Sequence, residues 1–519
     1  MKETARPKGH IWLVGAGPGD AGLLTRSGER ALARADVVLF DHLVGRSVLA
    51  LIPEGAECIF VGKEQGFHTV PQERINALLR EKAAEGKCVV RLKGGDPFLF
   101  GRGGEELEGL KAAGIPFEVV PGVTSAIAVP AAAGIPASHR DFASQVHIVT
   151  GHTRHAPGDG IDYAALAQAG GTLIFLMGVT ALTGICEGLL AAGMPGGTPA
   201  AVVQQGYTAG QKRVLSTLAE LPGDAEAAGV RPPAVTVIGG VCSLAESLDY
   251  LSEKPLFGVS VAVARPKDRG SKLTHLLSGA GAEAVEIPSI RTVAIERPWG
   301  LTEQLAQLAP GDWVAFTSPV APPLFFTAMR KAGCDVRALQ GVRFAAIGSA
   351  TAARVESHAL PVDLVPAHYM GEALGEALAE AIAREGGKVL LPRSARGTDE
   401  ILRPLRAAGV DVREVTLYDT VPPRALRGED GAPSPLLEAL AAPGFDWIAF
   451  TSASTVEGMA EILGEDALRK SRALCIGEQT RQAAERYGME TRTAPQATLE
   501  AMVDTLVEAV RMERSGGHA

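Results

Sequence analysis

The stretch IWLVGAGPGD, residues 11–20, joins a short apolar run to a glycine-rich loop. The run has the length and composition of a buried strand, and an amphipathic stretch at about residues 23–33 follows the loop. The same theme recurs downstream, with strands predicted at 36–40, 58–61, 88–92 and 117–120 and helices at about 71–85 and 105–113. Such alternation predicts an α/β fold with a mostly parallel sheet.

The composition is that of a globular protein and excludes several classes. Of the 519 residues, 46% are hydrophobic and 21% charged, which excludes wholesale disorder. The net charge of −9 argues against a nucleic-acid partner. The cysteines form no C-x-x-C pair, the start lacks the apolar run of a signal peptide, and no run reaches a membrane span of about 18 apolar residues. We therefore expect a cytoplasmic protein without nucleic-acid or membrane partners.

The pattern changes near residue 134, where a second sheet is predicted. Its strands are expected at 145–150, 173–177, 200–203, 212–215 and 235–238. A linker at about 251–258 ends this part of the chain. The first half is therefore expected to contain two α/β subdomains, at about 9–133 and 134–250.

The second half contains an internal repeat. The string DWVAFTS at 312–318 returns as DWIAFTS at 446–452, and residues 261–266 align with 389–394. Each copy has roughly the length of a domain, which is too long for a solenoid unit. The repeat predicts two similar α/β lobes, with a cleft between them as the expected ligand site.

Polar or glycine-rich loops follow the predicted strands of the first half. Asp41 follows the second strand, Lys63 the third, a Gly-Gly-Asp loop at 94–96 the fourth, and a Pro-Gly turn at 121–122 the fifth. Because the carboxyl ends of parallel strands meet at one edge of a sheet, these loops are expected to converge on one crevice.

The first glycine loop departs from a dinucleotide fingerprint. Gly19 comes one residue early for G-x-G-x-x-G, and the Asp20 carboxylate would repel a pyrophosphate. The glycines are better explained by a close approach of the backbone to another ligand or to the opposite subdomain. Simple turn chemistry and a nicotinamide-dependent oxidoreductase remain as alternatives.

Residues 9–250 resemble uroporphyrinogen-III C-methyltransferase, a tetrapyrrole methylase. The matching motifs lie at 14–20, 41–44, 61–63, 91–98, 100–106, 120–124, 138–141, 149–152 and 177–178. The sequence departs from the family at Phe40, where the family often has Tyr, and at Gly45, where it often has Ser.

The resemblance implies S-adenosylmethionine as methyl donor and a homodimer formed through this half. The implied contacts to the methyl donor are Pro18, Gly94, Gly95, Asp96, Leu99, Thr124, Ser125, Met177 and Gly206. Asp41 is the implied base and Lys63 the implied acid or its partner. Alternatively, Lys63 clamps a substrate carboxylate, Asp41 caps its loop, and Met177 is a core residue.

No metal is expected. His152 and His155 lack a third ligand in a plausible pattern. Isolated histidines such as His10 and His358 are expected at the surface or in packing positions.

The second half, about 258–510, resembles uroporphyrinogen-III synthase. The motifs are the repeat and the strings at 264–266, 416–420, 450–454 and 476–480. The resemblance implies one lobe inserted into the other, with lobe one at about 258–293 plus 422–512 and lobe two at about 296–418. Strands over 286–293 and 414–421 would bridge the lobes. The chain thus divides into a methyltransferase half, 1–254, and a synthase half, 255–519.

Synthase chemistry closes hydroxymethylbilane without a cofactor. Hydroxyls and guanidinium groups suited to its carboxylates occur at Arg265, Ser318, Arg393, Ser452, Ser454 and Thr480. Tyr418 is the implied aid to leaving-group departure, with packing at the hinge as the alternative. Ser452 and Thr480 could instead cap helices. The loop at 317–323 contains prolines, which remove backbone donors and put its binding role in doubt.

The two resemblances support each other, since the product of a synthase is the substrate of the methylase. The sequence predicts a bifunctional enzyme that makes uroporphyrinogen III and methylates it twice to precorrin-2, for sirohaem or cobalamin. A methyltransferase carrying a non-catalytic tetrapyrrole-binding or regulatory module is the alternative.

Overall fold

A computed structural model describes residues 9–62, 70–151, 160–265, 272–368, 370–421, 423, 426 and 432–516. These residues form four five-stranded sheets with helices against them, so the predicted α/β class is confirmed. The chain divides into two compact units. The first comprises Met1–Ser289 and Pro423–Ala519, and the second comprises Ile290–Pro422. No helix among the described residues is both long and apolar enough to cross a membrane.

The first sheet is entirely parallel, in the order β3-β2-β4-β1-β5. Its elements are β1 Ile11–Gly15, α1 Arg26–Leu32, β2 Val37–Phe40, α2 Arg46–Leu49, β3 Glu57–Phe60, α3 Gln72–Ala84, β4 Val89–Lys93, α4 Gly103–Ala112, β5 Phe117–Val120 and α5 Ser125–Ala132. The amphipathic stretch after the glycine loop begins as a 3₁₀ turn, Ala21–Leu23, and becomes a helix only after Thr25. The Thr25 side chain caps α1 by accepting from the Gly28 N–H.

The second sheet is mixed, in the order β6-β7-β10-β8-β9, with only β6 and β7 parallel. Its elements are β6 Val146–Thr150, α6 Tyr163–Ala169, β7 Thr172–Leu176, α7 Leu182–Ala191, β8 Pro199–Gln204, β9 Lys212–Thr217, α8 Leu221–Ala227 and β10 Ala234–Ile238, with 3₁₀ turns at Val179–Ala181 and Gly240–Leu244. All five predicted strands are present.

The remaining two sheets form the synthase half. The chain runs through β11 Ser260–Arg265, α9 Lys272–Gly279 and β12 Glu283–Pro288, and then enters the second unit. That unit contains β13 Arg291–Ala294, α10 Leu301–Ala306, β14 Trp313–Phe316, α11 Ala321–Lys331, a 3₁₀ turn Val336–Leu339, β15 Arg343–Ala346, α12 Ser349–Glu356, α13 Gly371–Glu385, β16 Val389–Ser394, α14 Leu402–Ala407 and β17 Val412–Val421. The chain then returns to the first unit as α15 Pro435–Ala441, β18 Trp447–Phe450, α16 Ala453–Leu463, α17 Glu465–Arg469, β19 Arg472–Cys475, α18 Glu478–Arg486, β20 Thr491–Thr493 and α19 Leu499–Gly516.

The internal repeat is visible in the strand order of these sheets. One sheet contains the parallel series β12-β11-β18-β19, and the other contains β17-β16-β14-β15. Each sheet therefore takes two strands from each copy of the repeat. The predicted strand over 286–293 is wrong as a single element. It is split into β12 and β13, which lie in different sheets, and the proline at 288 ends the first ladder because it has no N–H.

The repeated DW pair has the same structural role in both copies. Asp312 accepts from the Lys388 N–H at 3.0 Å, and Asp446 accepts from the Ser260 N–H at 2.8 Å. Each carboxylate thereby binds the start of a neighbouring strand. The indoles of Trp313 and Trp447 lie beneath arginine side chains of the next strand.

An apolar core joins the first subdomain to lobe one of the synthase half. Helix α2 packs against both α15 and β12. Leu49 and Ile52 belong to the same buried cluster as Ile287 and Leu440. The methylase half and lobe one are therefore parts of one packed unit.

Candidate functional site

Loops from the two methylase sheets, together with residues of lobe one, line a cleft of about 1570 Å³ in the first unit. The loops after β1, β2 and β4 form one side, and the loops after β7 and β8 form the other. Pro18, Gly94, Gly95, Ser125, Met177 and Gly206, all implied contacts to the methyl donor, line this cleft. Of the loops predicted to converge, those after β2 and β4 meet at this cleft, whereas the described turn at 121–122 does not line it.

Glycines allow the loops after β1, β4 and β5 to pack backbone against backbone. Gly17 and Gly95 exchange two N–H···O bonds of 3.2 and 2.7 Å. A Cβ added to Gly15 would lie 2.5 Å from the nitrogen of Gly122. A Cβ at Gly45 would collide with the Gly19 carbonyl, so this backbone requires glycine where the family often has serine.

Three implied contacts support the loops and do not line the cleft. The Asp96 carboxylate accepts from the N–H groups of Phe98, Leu99 and Gly122 at 2.8, 3.2 and 3.1 Å. The Leu99 side chain packs against the core of the second subdomain. Thr124 caps α5 by accepting from the Ala126 N–H at 3.3 Å.

Asp41 lies directly after β2 with its side chain 18% exposed. One carboxylate oxygen accepts from the Leu43 N–H at 3.1 Å, and the other accepts from the Arg91 guanidinium at 3.1 Å. Asp41 therefore does cap its own loop, and it is also fixed in orientation by a buried cation. Its sequence neighbours His42 and Leu43 line the cleft.

A cluster of buried charged side chains lies next to Asp41. Glu106 of α4, 1% exposed, accepts from the Lys93 ammonium at 2.9 Å and from the Gln72 amide at 3.1 Å. The Arg91 Nε lies 3.6 Å from the same carboxylate. Burial lowers the pKa of Lys93, as does the nearby Arg91 charge, whereas Glu106 opposes the shift.

Sequence reasoning did not assign roles to Arg91, Lys93 and Glu106. A signal was present, because two cations at alternate positions of a buried strand share one face and need an acid opposite them. Identifying Glu106 as that acid required the packing of α4 against β4.

The opposite side of the cleft contains strained backbone. Met177, Gln205 and Tyr207 have φ values of 55°, 47° and 64°. Such conformations cost a non-glycine residue about 1–3 kcal/mol and persist where surrounding contacts enforce them. Met177 is 49% exposed, so its interpretation as a core residue is wrong.

Some sequence predictions fall on residues that the structure does not describe. Lys63, His152 and His155 lie outside the described residues. Within the described part of the chain, His, Cys, Asp and Glu side chains form no group of three or more that could hold a metal.

The second unit brings together three of the predicted synthase residues. Tyr418 is 6% exposed, and Ser318 and Arg393 lie close enough to affect its pKa. Burial raises the pKa of Tyr418, while Ser318 and Arg393 oppose the shift. Arg393 is also buried, and donates to Glu414 at 3.0 Å and to the Thr398 carbonyl at 2.6 Å. Two prolines of the 317–323 loop, Pro322 and Pro323, fall in the first turn of α11, where N–H groups have no helical partner, and Pro319 precedes the helix.

The remaining residues predicted to bind the synthase substrate lie in lobe one, which belongs to the first unit. Ser452 and Ser454 follow β18, with their hydroxyl oxygens 3.1 Å apart. Ser452 occupies the N-cap position of α16 but makes no side-chain capping bond, so the capping interpretation is wrong for its hydroxyl. Thr480 is buried in the first turn of α18, and Arg265 ends β11.

Comparisons with protein families cover both halves of the chain. The model of Tetrapyrrole (Corrin/Porphyrin) Methylases matches residues 10–222, and that of Uroporphyrinogen-III synthase HemD matches residues 271–504. The "Porphyrin biosynthesis protein HemD" of Ruminiclostridium josui is 40% identical over 500 residues, which are 96% of this chain and 98% of that protein.

Two further relatives match the first half. "Siroheme synthase 1" of Aeromonas hydrophila is 50% identical over 256 residues, covering 49% of this chain and 54% of that protein. The chain thus spans about half the length of this relative. A crystal structure of uroporphyrin-III C-methyl transferase from Thermus thermophilus with S-adenyl homocysteine is 42% identical, covering 45% of this chain and 99% of that one, with a TM-score of 0.39.

Proposed function

Because the chain belongs to the family that joins a tetrapyrrole methylase to a uroporphyrinogen-III synthase, we propose that it catalyses two consecutive steps of tetrapyrrole biosynthesis. The synthase half closes hydroxymethylbilane to uroporphyrinogen III. The methylase half transfers two methyl groups from S-adenosylmethionine to this product and gives precorrin-2, for sirohaem or cobalamin. Family membership removes the nicotinamide-dependent oxidoreductase as an alternative.

The observation that carries the methylase proposal is the cleft between the two subdomains. Six implied contacts to the methyl donor line it, and together with the space that lobe one borders its volume of about 1570 Å³ exceeds an ordinary small-molecule pocket of about 300–1,000 Å³. This is room for a nucleoside and a macrocycle together. The glycine-rich walls present backbone groups to a ligand, so the residues fit S-adenosylmethionine.

S-adenosylmethionine supplies an electrophilic methyl group to a pyrrole carbon. The chain must hold the reacting carbon in line with this methyl group and remove the proton that the macrocycle loses. Asp41 is proposed as the base, with Arg91 and the Leu43 N–H fixing its orientation at the edge of the cleft. Lys63 is proposed as the acid or its partner, from the resemblance alone.

The methylase proposal is tested with supplied uroporphyrinogen III and an Asp41→Asn variant of the full chain. We expect kcat for methylation to fall by about 10²–10⁴-fold, since a positioned base contributes that much. The affinity for S-adenosylhomocysteine, measured by calorimetry, should remain as in the wild type. An unchanged kcat would contradict the role of Asp41, and a wild type that transfers no methyl group would contradict the methylase proposal.

In the synthase half, the hydroxymethyl carbon loses its hydroxyl as water, and the ring closes through the terminal pyrrole, which is inverted and gives up the proton of its unsubstituted carbon. Tyr418 is proposed to donate a proton to that hydroxyl. Burial raises its pKa, so the phenol carries its proton at neutral pH, and Ser318 lies beside it. The hydroxyls of Ser452, Ser454 and Thr480 and the guanidinium groups of Arg265 and Arg393 are proposed to bind substrate carboxylates.

A Tyr418→Phe variant tests this role with hydroxymethylbilane alone. We expect the type III isomer to give way to the type I isomer, which forms when the last pyrrole is not inverted. Retention of the wild-type rate of type III formation would assign Tyr418 to packing.

The resemblance further supports a cytoplasmic homodimer formed through the methylase half, without nucleic-acid or membrane partners. Light scattering of the full chain tests the dimer, and a monomer at the concentration of the activity assays would contradict it.

A further inference from the structure

One carboxylate of the synthase half binds both sides of the methylase cleft. Glu283 is the first residue of β12, in lobe one, and its side chain is only 12% exposed. One oxygen accepts from the Arg46 Nε at 2.9 Å, and the other accepts from the Ala209 N–H at 2.9 Å. Arg46 belongs to the first methylase subdomain and Ala209 to the second.

The first of these contacts anchors the loop that carries Asp41. Arg46 begins α2, directly after residues 41–45. Besides Glu283, its guanidinium donates to the Gly444 carbonyl at 2.8 Å and lies over the Phe445 ring at 4.5 Å. All three partners are in lobe one, so the end of this loop is seated on the synthase half.

The second contact anchors the strained loop after β8. Ala209 follows Gln205 and Tyr207, which have positive φ, and Gly206, which lines the cleft. The loop is also held by Gln211, whose side chain accepts from the Tyr207 N–H and donates to the Ala132 carbonyl at the end of α5, in the first subdomain. Glu283 adds a further support, from lobe one.

We propose that Glu283 is a positioning residue for the methylase reaction, through which lobe one of the synthase half sets the spacing of the two sides of the methyl-donor cleft. The inference rests on the proposed function. A carboxylate that accepts from both loops fixes their separation. The synthase half is then a structural part of the methylase site as well as an enzyme.

The test uses full-length Glu283→Ala and Glu283→Gln variants. We expect Glu283→Ala to raise the Kd for S-adenosylhomocysteine and the KM for S-adenosylmethionine by about fivefold or more, as for a typical coupling between sites. Glu283→Gln should recover part of the loss, because its amide oxygen still accepts one hydrogen bond. The rate of type III formation from hydroxymethylbilane should stay unchanged.

Glu286→Gln is the matched control, since Glu286 lies on the same strand but accepts from Thr274 within lobe one. If Glu283→Ala does not fold, Arg46→Lys serves in its place, because lysine keeps the charge and loses the fork that reaches Glu283 and Gly444 together. Folded variants with both constants within about twofold of the wild type would overturn the inference. A wild type that binds no S-adenosylhomocysteine would instead overturn the proposed function.

Discussion

His10 shows how burial changes the ionisation of a single residue. It precedes β1 and packs against the Trp12 ring at 4.4 Å, as expected for a packing histidine. Burial lowers its pKa from 6.5, while the Glu118 carboxylate opposes the shift. The unfolded chain therefore binds the proton more readily. The stability that this site contributes is complete above pH 6.5 and falls as the pH drops through the window below that value.

A His10→Phe variant should lose this component of pH dependence. The free energy of unfolding by urea, measured above and below pH 6.5, should fall less on acidification for the variant than for the wild type. Equal losses in the two proteins would contradict the assignment.

At the scale of residues, the sequence located the glycines and Asp41 because they follow strands in short linear motifs. The roles of Arg91 and Glu106 were not predicted, because they depend on residues that are neighbours only in the folded structure. The register that pairs Leu39 with Arg91 brings the arginine beside Asp41, and the packing of α4 supplies Glu106. No spacing along the chain encodes either contact.

Among the elements, α4 offers a matched pair of adjacent acids. Glu106 compensates two cations in the interior, whereas Glu105 pairs with Arg102 at the surface. Removing the charge of Glu106 leaves Arg91 and Lys93 buried without a compensating charge from α4. We expect Glu106→Gln to lower the free energy of unfolding by about 3–5 kcal/mol, and Glu105→Gln by less than about 1 kcal/mol. Equal urea midpoints and slopes for the two variants would contradict the buried cluster.

The loop after β5 provides a second prediction for an element. A Cβ at Gly122 would collide with the Gly95 carbonyl and with the backbone of Gly15. Gly122→Ala should therefore push the loops apart and weaken S-adenosylhomocysteine binding, measured by calorimetry. Gly184 in α7 has open space around it, so Gly184→Ala should leave binding unchanged and stabilise the protein by about 0.5–1 kcal/mol. Equal affinities for the two variants would contradict this prediction, because the loops would then accommodate the added methyl group without loss of binding.

Most elements were predictable, since buried strands and amphipathic helices have distinct periods. The repeat marked equivalent strands, because DWVAFTS and DWIAFTS lie on β14 and β18, which occupy corresponding positions in two different sheets. The break between β12 and β13 was missed because the apolar pattern continues through the crossing between units. The positive φ values of Met177, Gln205 and Tyr207 had no sequence signal, since these residue types do not favour such backbone.

At the scale of the whole molecule, the direction of the strands in the lobe-one sheet affects how uroporphyrinogen III can move from the synthase site to the methylase site. Ser260, Asp446 and Ser471 line the methylase cleft and stand at the starts of β11, β18 and β19. Ser452 and Thr480, proposed for synthase binding, follow the opposite ends of β18 and β19. The sheet of lobe one therefore lies between the methylase cleft and these residues.

We expect uroporphyrinogen III to pass through solvent between the two reactions. When labelled hydroxymethylbilane is supplied with excess unlabelled uroporphyrinogen III, the label in the methylated product should be diluted by the added pool. Undiluted label in that product would demonstrate a direct path that this arrangement does not provide.

The most direct test of the account supplies the full chain with hydroxymethylbilane and S-adenosylmethionine, and reads oxidised products by mass and isomer-resolving chromatography. The wild type should give a twice-methylated type III product, and Asp41→Asn should stop at unmethylated type III isomer. A wild type that yields only type I isomer, or type III isomer without methyl groups, would contradict the proposal that both halves act in sequence.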